Sequence, residues 1–180
     1  YPLRRQRQMC IRDSRIGVVE TARDGNIKLI TGRLDVGVAM APPLIREVKN
    51  RLPQNDVTIL DAPPGTSCPV IAAIRDSDVV LLVTEPTPFG LHDLTLAVDM
   101  ARELNLSFGV IVNRMGSGDN RAHAFCQKEN IPILLEIPDD RKIAEAYSRG
   151  ILTVDALPEY RNLFEQLAVK ITDYQNKGRV

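Results

Sequence analysis

From residue 15 onward, short apolar runs alternate with longer stretches whose apolar residues recur at helical spacing. The runs are continuous rather than alternating in polarity, which is typical of parallel strands covered by helices on both faces. This order predicts an α/β fold, a three-layer and mainly parallel sheet flanked by helices. Strands are expected at 57–62, 78–85, 108–114 and 131–138, and helices at 43–52, 69–74, 88–105, 119–126, 141–150 and 158–174.

The start of the chain departs from this order. Residues 1–14 show no periodicity and carry four arginines against one aspartate, without the apolar stretch of a signal peptide. We expect a non-native or disordered segment here. The β-rich runs 15–22 and 26–32 flank Asp24-Gly25, which predicts a short N-terminal β-hairpin. Residues 15–174 are then expected to form one domain, and 175–180 a frayed tail.

Charge and composition exclude several classes of partner. Lys plus Arg equal Asp plus Glu at 23 each, so no basic surface favours nucleic acid or an anionic membrane. The longest apolar runs, such as 79–83, are too short to span a bilayer. Three cysteines without CxxC spacing suggest neither a disulfide framework nor a zinc site. A reducing, cytoplasmic setting is therefore expected.

Candidate ligand residues follow the strands, because open α/β sheets bind ligands beyond the carboxyl ends of their strands. Asp61 ends the first predicted parallel strand and offers a hard oxygen for Mg²⁺, held through water. Gly65 would let a backbone N–H approach a phosphate without a Cβ in the way. The alternative is a proline-rich turn with Asp61 simply solvated.

Two later strand ends add polar groups. Asn113 offers a donor and an acceptor, which suits the edge of an adenine ring, although an Asx-turn would also explain it. Pro138 offers an apolar wall for a base, and Asp140 an acceptor for a ribose or amino group. Asp139 or Asp140 is equally explained as the N-cap of the next helix.

Four segments together resemble the MinD/ParA/Mrp family of P-loop ATPases, most closely the MinD-like subgroup with an inserted ferredoxin domain. They are ILDAPPGTSCPV (59–70), LLVTEPTPFGLHDL (81–94), VIVNR (110–114) and IPILLEIPDDRKIAEAYSRG (131–150).

The resemblance implies a role for each candidate. Asp61 is similar to the Mg²⁺-associated aspartate of Walker B, and Gly65 to the switch glycine near the γ-phosphate. Asn113 matches the adenine-reading asparagine, with Pro138 and Asp140 in the base-proximal loop. The implied cofactors are ATP and Mg²⁺, and the implied assembly is a nucleotide-bound homodimer that serves an electron-transfer or iron–sulfur partner.

The sequence also departs from the family. It contains no Walker A loop of the form GKGGxGKT and no cysteine-rich cluster motif, so no iron–sulfur cluster is expected on this chain. We therefore expect the carboxyl-terminal portion of a larger ATPase, itself not hydrolytic. One alternative is a non-catalytic interaction module that binds a partner ATPase through residues 84–90. Another is an amide-forming, ATP-dependent synthetase, for which no substrate pocket is evident.

Overall fold

The computed structural model describes residues 15–53 and 56–177. The expected non-native segment 1–14 and residues 178–180 of the expected tail lie outside the described residues. The chain divides between Ile74 and Arg75 into two compact units.

The amino-terminal unit is built on the predicted hairpin, which the structure confirms. Strands β1 (Gly17–Asp24) and β2 (Ile27–Leu34) pair antiparallel over their full length. Gly25, in the two-residue turn, has a φ of +53°, which glycine adopts without steric cost.

Among the described residues of this unit are two helices, α1 (Pro42–Lys49) and α2 (Cys68–Ile74). A Cβ on Gly32 would lie 2.9 Å from Val48 Cγ2 and 3.1 Å from Leu44 Cγ, so the bare glycine lets α1 pack closely on the hairpin.

The strand predicted over 57–62 is not formed, and this prediction was wrong. Residues 57–63 adopt no regular secondary structure, and Val57 and Ile59 are almost fully exposed. The residues of this segment favour β structure, but a strand forms only where a neighbouring strand accepts its hydrogen bonds. None of the described residues supplies that neighbour, as the two sheets contain only β1 to β5.

The carboxyl-terminal unit alternates strands and helices in the predicted order. Its strands are β3 (Val80–Thr84), β4 (Phe108–Met115) and β5 (Ile133–Pro138). Its α-helices are α3 (Pro88–Glu103), α4 (Arg121–Lys128), α5 (Arg141–Ser148), α6 (Thr153–Ala156) and α7 (Arg161–Lys177), with a 3₁₀ turn at Pro158–Tyr160.

The three strands form a parallel sheet in the order β3-β4-β5. In β4 the four consecutive residues 109–112 are all buried, so both faces of this strand are covered. The core continues into α3 through Leu94, Val98 and Ala101. The predicted fold class, a mainly parallel sheet flanked by helices with an N-terminal hairpin, is confirmed.

Two register shifts interrupt the pairing of β4 with β5. Between the pairs Val110–Ile133 and Ile111–Leu135, β5 carries one extra residue, Leu134. Between Val112–Glu136 and Met115–Pro138, β4 carries one extra residue instead. Such bulges bend a strand and redirect its side chains. The second shift lies at the carboxyl end of the sheet, where the ligand residues were predicted.

Candidate functional site

Asn113 lies near the carboxyl end of β4, between Val112 and Met115, where the register with β5 shifts. It is half-buried, and its carboxamide makes no hydrogen bond with the other described residues. Such a group has one acceptor and two donor hydrogens to offer. The alternative of an Asx-turn is therefore not what the structure shows for this side chain. Asn113 thus lies near the end of a buried strand, and no other described residue binds its carboxamide.

Pro138 ends the neighbouring strand at the same edge. It pairs with Met115, and the N–H of Asp139 donates to the carbonyl of Met115 at 2.9 Å. Pro138 itself is exposed. The sheet thus brings Asn113 and the loop 138–140 to adjacent strand ends, as the strand-end argument predicted.

Asp140 caps helix α5. Its Oδ1 accepts the N–H of Lys142 at 2.9 Å, and its Oδ2 accepts the hydroxyl of Tyr160 at 2.9 Å. The backbone N–H of Lys142 and then the Tyr160 hydroxyl lower the pKa of Asp140. Burial, followed by the hydrogen bond to Asp140, raises the pKa of Tyr160. The capping alternative is what the structure shows, and a contact with nucleotide stays a prediction.

A charged bridge crosses this edge of the sheet. Arg114 Nε donates to Asp139 Oδ1 at 3.2 Å, and Arg114 Nη1 lies 3.6 Å from Glu85 Oε2. The hydrogen bond and charge of Asp139 and the charge of Glu85 raise the pKa of Arg114. Glu85 follows β3, Arg114 is in β4, and Asp139 follows β5. One side chain therefore links the ends of all three strands.

The loop between β3 and α3 is fixed on both sides. Thr87 caps α3 by accepting the N–H of Gly90 at 3.0 Å, and the buried Thr84 hydroxyl donates to the Gly90 carbonyl at 2.9 Å. A Cβ on Gly90 would lie 2.3 Å from the carbonyl oxygen of Glu85, and one on Gly118 would lie 1.7 Å from that of Pro86. Both glycines are therefore required by close backbone contact, whereas Phe89, in the first turn of α3, is 84% exposed.

Asp61 and Gly65 belong to the amino-terminal unit. Asp61 is exposed and lies within the segment 57–62 that was predicted as a strand. Gly65 has a φ of +90°, and a Cβ there would meet open space. The backbone conformation, rather than lack of room, thus requires glycine at this position. An accessible carboxylate and an accessible backbone N–H are suited to a hydrated Mg²⁺ and a phosphate, respectively.

No group of three or more His, Cys, Asp or Glu among residues 15–53 and 56–177 is arranged to hold a metal ion. The role of Asp61 as a water-mediated ligand of Mg²⁺ stays a prediction. Within the same ranges, no helix has both the length and the apolar content needed to cross a bilayer.

A small open cavity of about 140 Å³ lies at the amino ends of β4 and β5. Leu106, Phe108, Pro132 and Tyr174 contribute to its lining. It is at the opposite end of these strands from Asn113, and ligand pockets for drug-sized molecules are typically about 300 Å³ or more. It does not contribute to the candidate site.

Sequence reasoning missed the bridge of Glu85, Arg114 and Asp139. A signal was present, since charges of opposite sign fall at the ends of three successive strands. Tyr160 was also missed, because its contact with Asp140 spans 20 residues and depends on how the last helices return to the sheet.

The chain is similar to known proteins in both structure and sequence. No family model matches it. The MinD septum site-determining protein of Pyrococcus horikoshii, solved with Mg-ADP, superposes with a TM-score of 0.69 at 25% identity, covering 85% of this chain and 66% of that one. The iron–sulfur cluster carrier protein of P. horikoshii is 27% identical over 143 residues, 68% of this chain and 48% of that protein.

The chain thus resembles the MinD/ParA/Mrp family of P-loop ATPases in both sequence and fold.

Another relative, an uncharacterized protein of Methanocaldococcus jannaschii, is 31% identical to this chain over 158 residues. That match covers 85% of this chain and 54% of the relative. The chain thus spans about half the length of the curated relatives it matches. The family resemblance given by the motifs is confirmed, and the relatives connect it with both MinD ATPases and iron–sulfur cluster carriers.

Proposed function

We propose that this chain supplies the adenine-facing and magnesium-facing residues of an ATP site, within a protein that hydrolyses ATP and handles iron–sulfur clusters. The observation that supports the proposal is the pairing of Met115 with Pro138, which brings the carboxyl ends of β4, with Asn113, and of β5, with the loop 138–140, to the same edge of the sheet. An amide that can both donate and accept, next to an exposed proline, is suited to the edge and face of a purine.

The phosphate side of the proposed site depends on Asp61 and Gly65. Asp61 would hold Mg²⁺ through a water molecule, and the N–H of Gly65 would reach the terminal phosphate. When bound, Mg²⁺ neutralises charge on the phosphate oxygens during phosphoryl transfer. The phosphate loop itself is proposed to lie in a part of the whole protein that this sequence does not contain. The chain alone is therefore expected to bind ATP weakly and not to hydrolyse it.

The finer aspects of the proposal concern the whole protein. ATP binding between two subunits would switch the conformation of a cytoplasmic homodimer, and the switch would be coupled to transfer of an iron–sulfur cluster, the cargo. The name of the P. horikoshii carrier protein and the Mg-ADP complex of the MinD neighbour support this proposal. The cluster would be held by residues outside this chain.

The proposal is tested by titrating the ¹⁵N-labelled chain with MgATP at millimolar concentration and following its amide resonances. Shifts are expected at Asn113 and at residues 138–140, and Asn113→Ala should weaken them. Asn162→Ala, an exposed amide on α7, is the matched control. A wild-type spectrum that MgATP leaves unchanged at these residues contradicts the proposal. ATP turnover that Asp61→Ala abolishes would contradict the expectation that the chain is inactive alone.

A second candidate function is a non-catalytic interaction module. The exposure of Phe89, in the segment 84–90 and at the start of α3, favours it, since an exposed aromatic side chain is a typical interface anchor. Weakened binding of a full-length family ATPase by Phe89→Ala, with no response of the chain to MgATP, would favour this alternative.

A further inference from the structure

Arg114 occupies an unusual backbone position. It lies in the segment of β4 that carries the extra residue, and its φ is +55°, a region that few residues other than glycine or asparagine adopt. Its carbonyl accepts both the N–H and the hydroxyl of Ser117, at 3.1 and 2.7 Å. The bulge thus lies directly after Asn113, and the hydrogen bonds of Ser117 to Arg114 fix the chain where β4 ends at Met115.

The side chain of Arg114 joins elements far apart in sequence. Its guanidinium contacts Asp139, 25 residues away along the chain, and lies beside Glu85. A planar guanidinium presents donors in fixed directions, so it can serve two carboxylates at once, which a lysine ammonium does less well. Without the positive charge of Arg114, the carboxylates of Glu85, Asp139 and Asp140 would repel one another at this edge of the sheet.

Backbone hydrogen bonds hold only part of this edge of the sheet in place. The N–H of Asp139 is bonded to Met115, whereas the side chain of Asp139 is held by Arg114. Residues 139 and 140 lead directly into α5, so the bridge controls the short connection that carries Pro138.

We propose that Arg114 is a positioning residue of the nucleotide site: by bridging Glu85 and Asp139, it holds Asn113 and Pro138 in one arrangement before the base binds. This inference rests on the proposed function. Arg114 itself need not touch the nucleotide, because its guanidinium is already engaged by two carboxylates.

The test compares Arg114→Met with Arg141→Met in the full chain. Arg141 lies next to Asp140 and is 88% exposed, but its partner Glu145 is on its own helix. Both variants remove one positive charge from the same region, and only Arg114→Met removes a link between strands. Amide exchange at Asp139 and Asp140, the MgATP dissociation constant from amide shifts, and the unfolding midpoint are measured for each.

We expect Arg114→Met to accelerate exchange at Asp139 and Asp140 and to weaken MgATP binding about fivefold, the upper range for an exposed ion-pair network. Arg141→Met should change neither, and Arg114→Lys should fall between wild type and Arg114→Met. If Arg114→Met fails to fold, Arg114→Asn replaces it, since asparagine tolerates a positive φ and cannot bridge two carboxylates.

Equal weakening by both methionine variants would show a plain charge effect and overturn the inference. So would wild-type affinity and exchange in Arg114→Met, while the proposed function would stand. If the wild-type chain shows no response to MgATP at Asn113 and 138–140, the proposed function is wrong and this inference falls with it.

Discussion

Gly109 is the point at which the packing of β4 against β5 is most tightly constrained. A Cβ at this position would lie 2.6 Å from Leu134 Cδ1 and 2.7 Å from Leu134 Cγ. Carbon atoms in contact are normally about 3.5–4.0 Å apart, so Leu134 would have to move by about 1 Å. Leu134 is only 5% exposed and is the extra residue of the first register shift, so it has little room to move.

Gly109→Ala is therefore expected to destabilise the chain. Overpacking of this kind costs about 2 kcal/mol. Alanine also restricts the unfolded chain more than glycine does, which offsets about 0.5 kcal/mol of this cost. The free energy of unfolding should thus fall by about 1.5 kcal/mol, measured by urea titration with circular dichroism at constant slope.

The same substitution in a Leu134→Ala background supplies the decisive comparison. Leu134→Ala alone should cost about 3 kcal/mol, because it leaves a cavity. In that background the new methyl group of Gly109→Ala fills part of the cavity, so its cost should disappear. The coupling energy between the two sites is then about 1.5 kcal/mol. An equal cost of Gly109→Ala in both backgrounds would refute the steric argument.

Two further predictions concern stability. The pKa of Asp140 is lowered in the folded state, so its contribution to stability is present above the unfolded pKa and is lost as pH falls through the folded pKa. Tyr160→Phe removes one hydrogen bond to that carboxylate and should destabilise near neutral pH, with a smaller difference in urea titrations at about pH 3; a difference independent of pH would contradict this. Lys170 donates to the carbonyl of Leu134 at 2.7 Å, and Lys170→Met should lower the unfolding free energy by about 1 kcal/mol, whereas Lys128→Met should not. Equal effects of the two lysine variants would refute it.

Elements with local signals were predictable from the sequence. The turn at Asp24-Gly25 fixed the hairpin, and α3 begins at Pro88 as predicted, because proline suits the first helical turn and Thr87 caps it. Helix α6, with only four residues, is too short to show an apolar period and was missed.

Features that depend on a partner were not predictable. The segment 57–62 has the composition of a strand, yet pairing is decided by whether a neighbouring strand is present. The strand-end argument correctly brought the carboxyl ends of β4 and β5 to one edge of the sheet, but the bulge at Arg114 depends on the register of β5. A one-residue shift in the pairing of two strands cannot be recognised from the sequence of either strand alone.

The loop between β3 and α3 has a consequence for how sequences of this kind can diverge. Gly90 and Gly118 face main-chain oxygens at distances that no side chain allows, so substitutions there require the backbone of a neighbouring loop to move. Phe89, one residue from Gly90, faces open space and is free of that restriction. Natural variation should therefore accumulate at position 89 rather than at positions 90 and 118. The side chain exposed at position 89 can then change while the neighbouring strand ends keep their geometry.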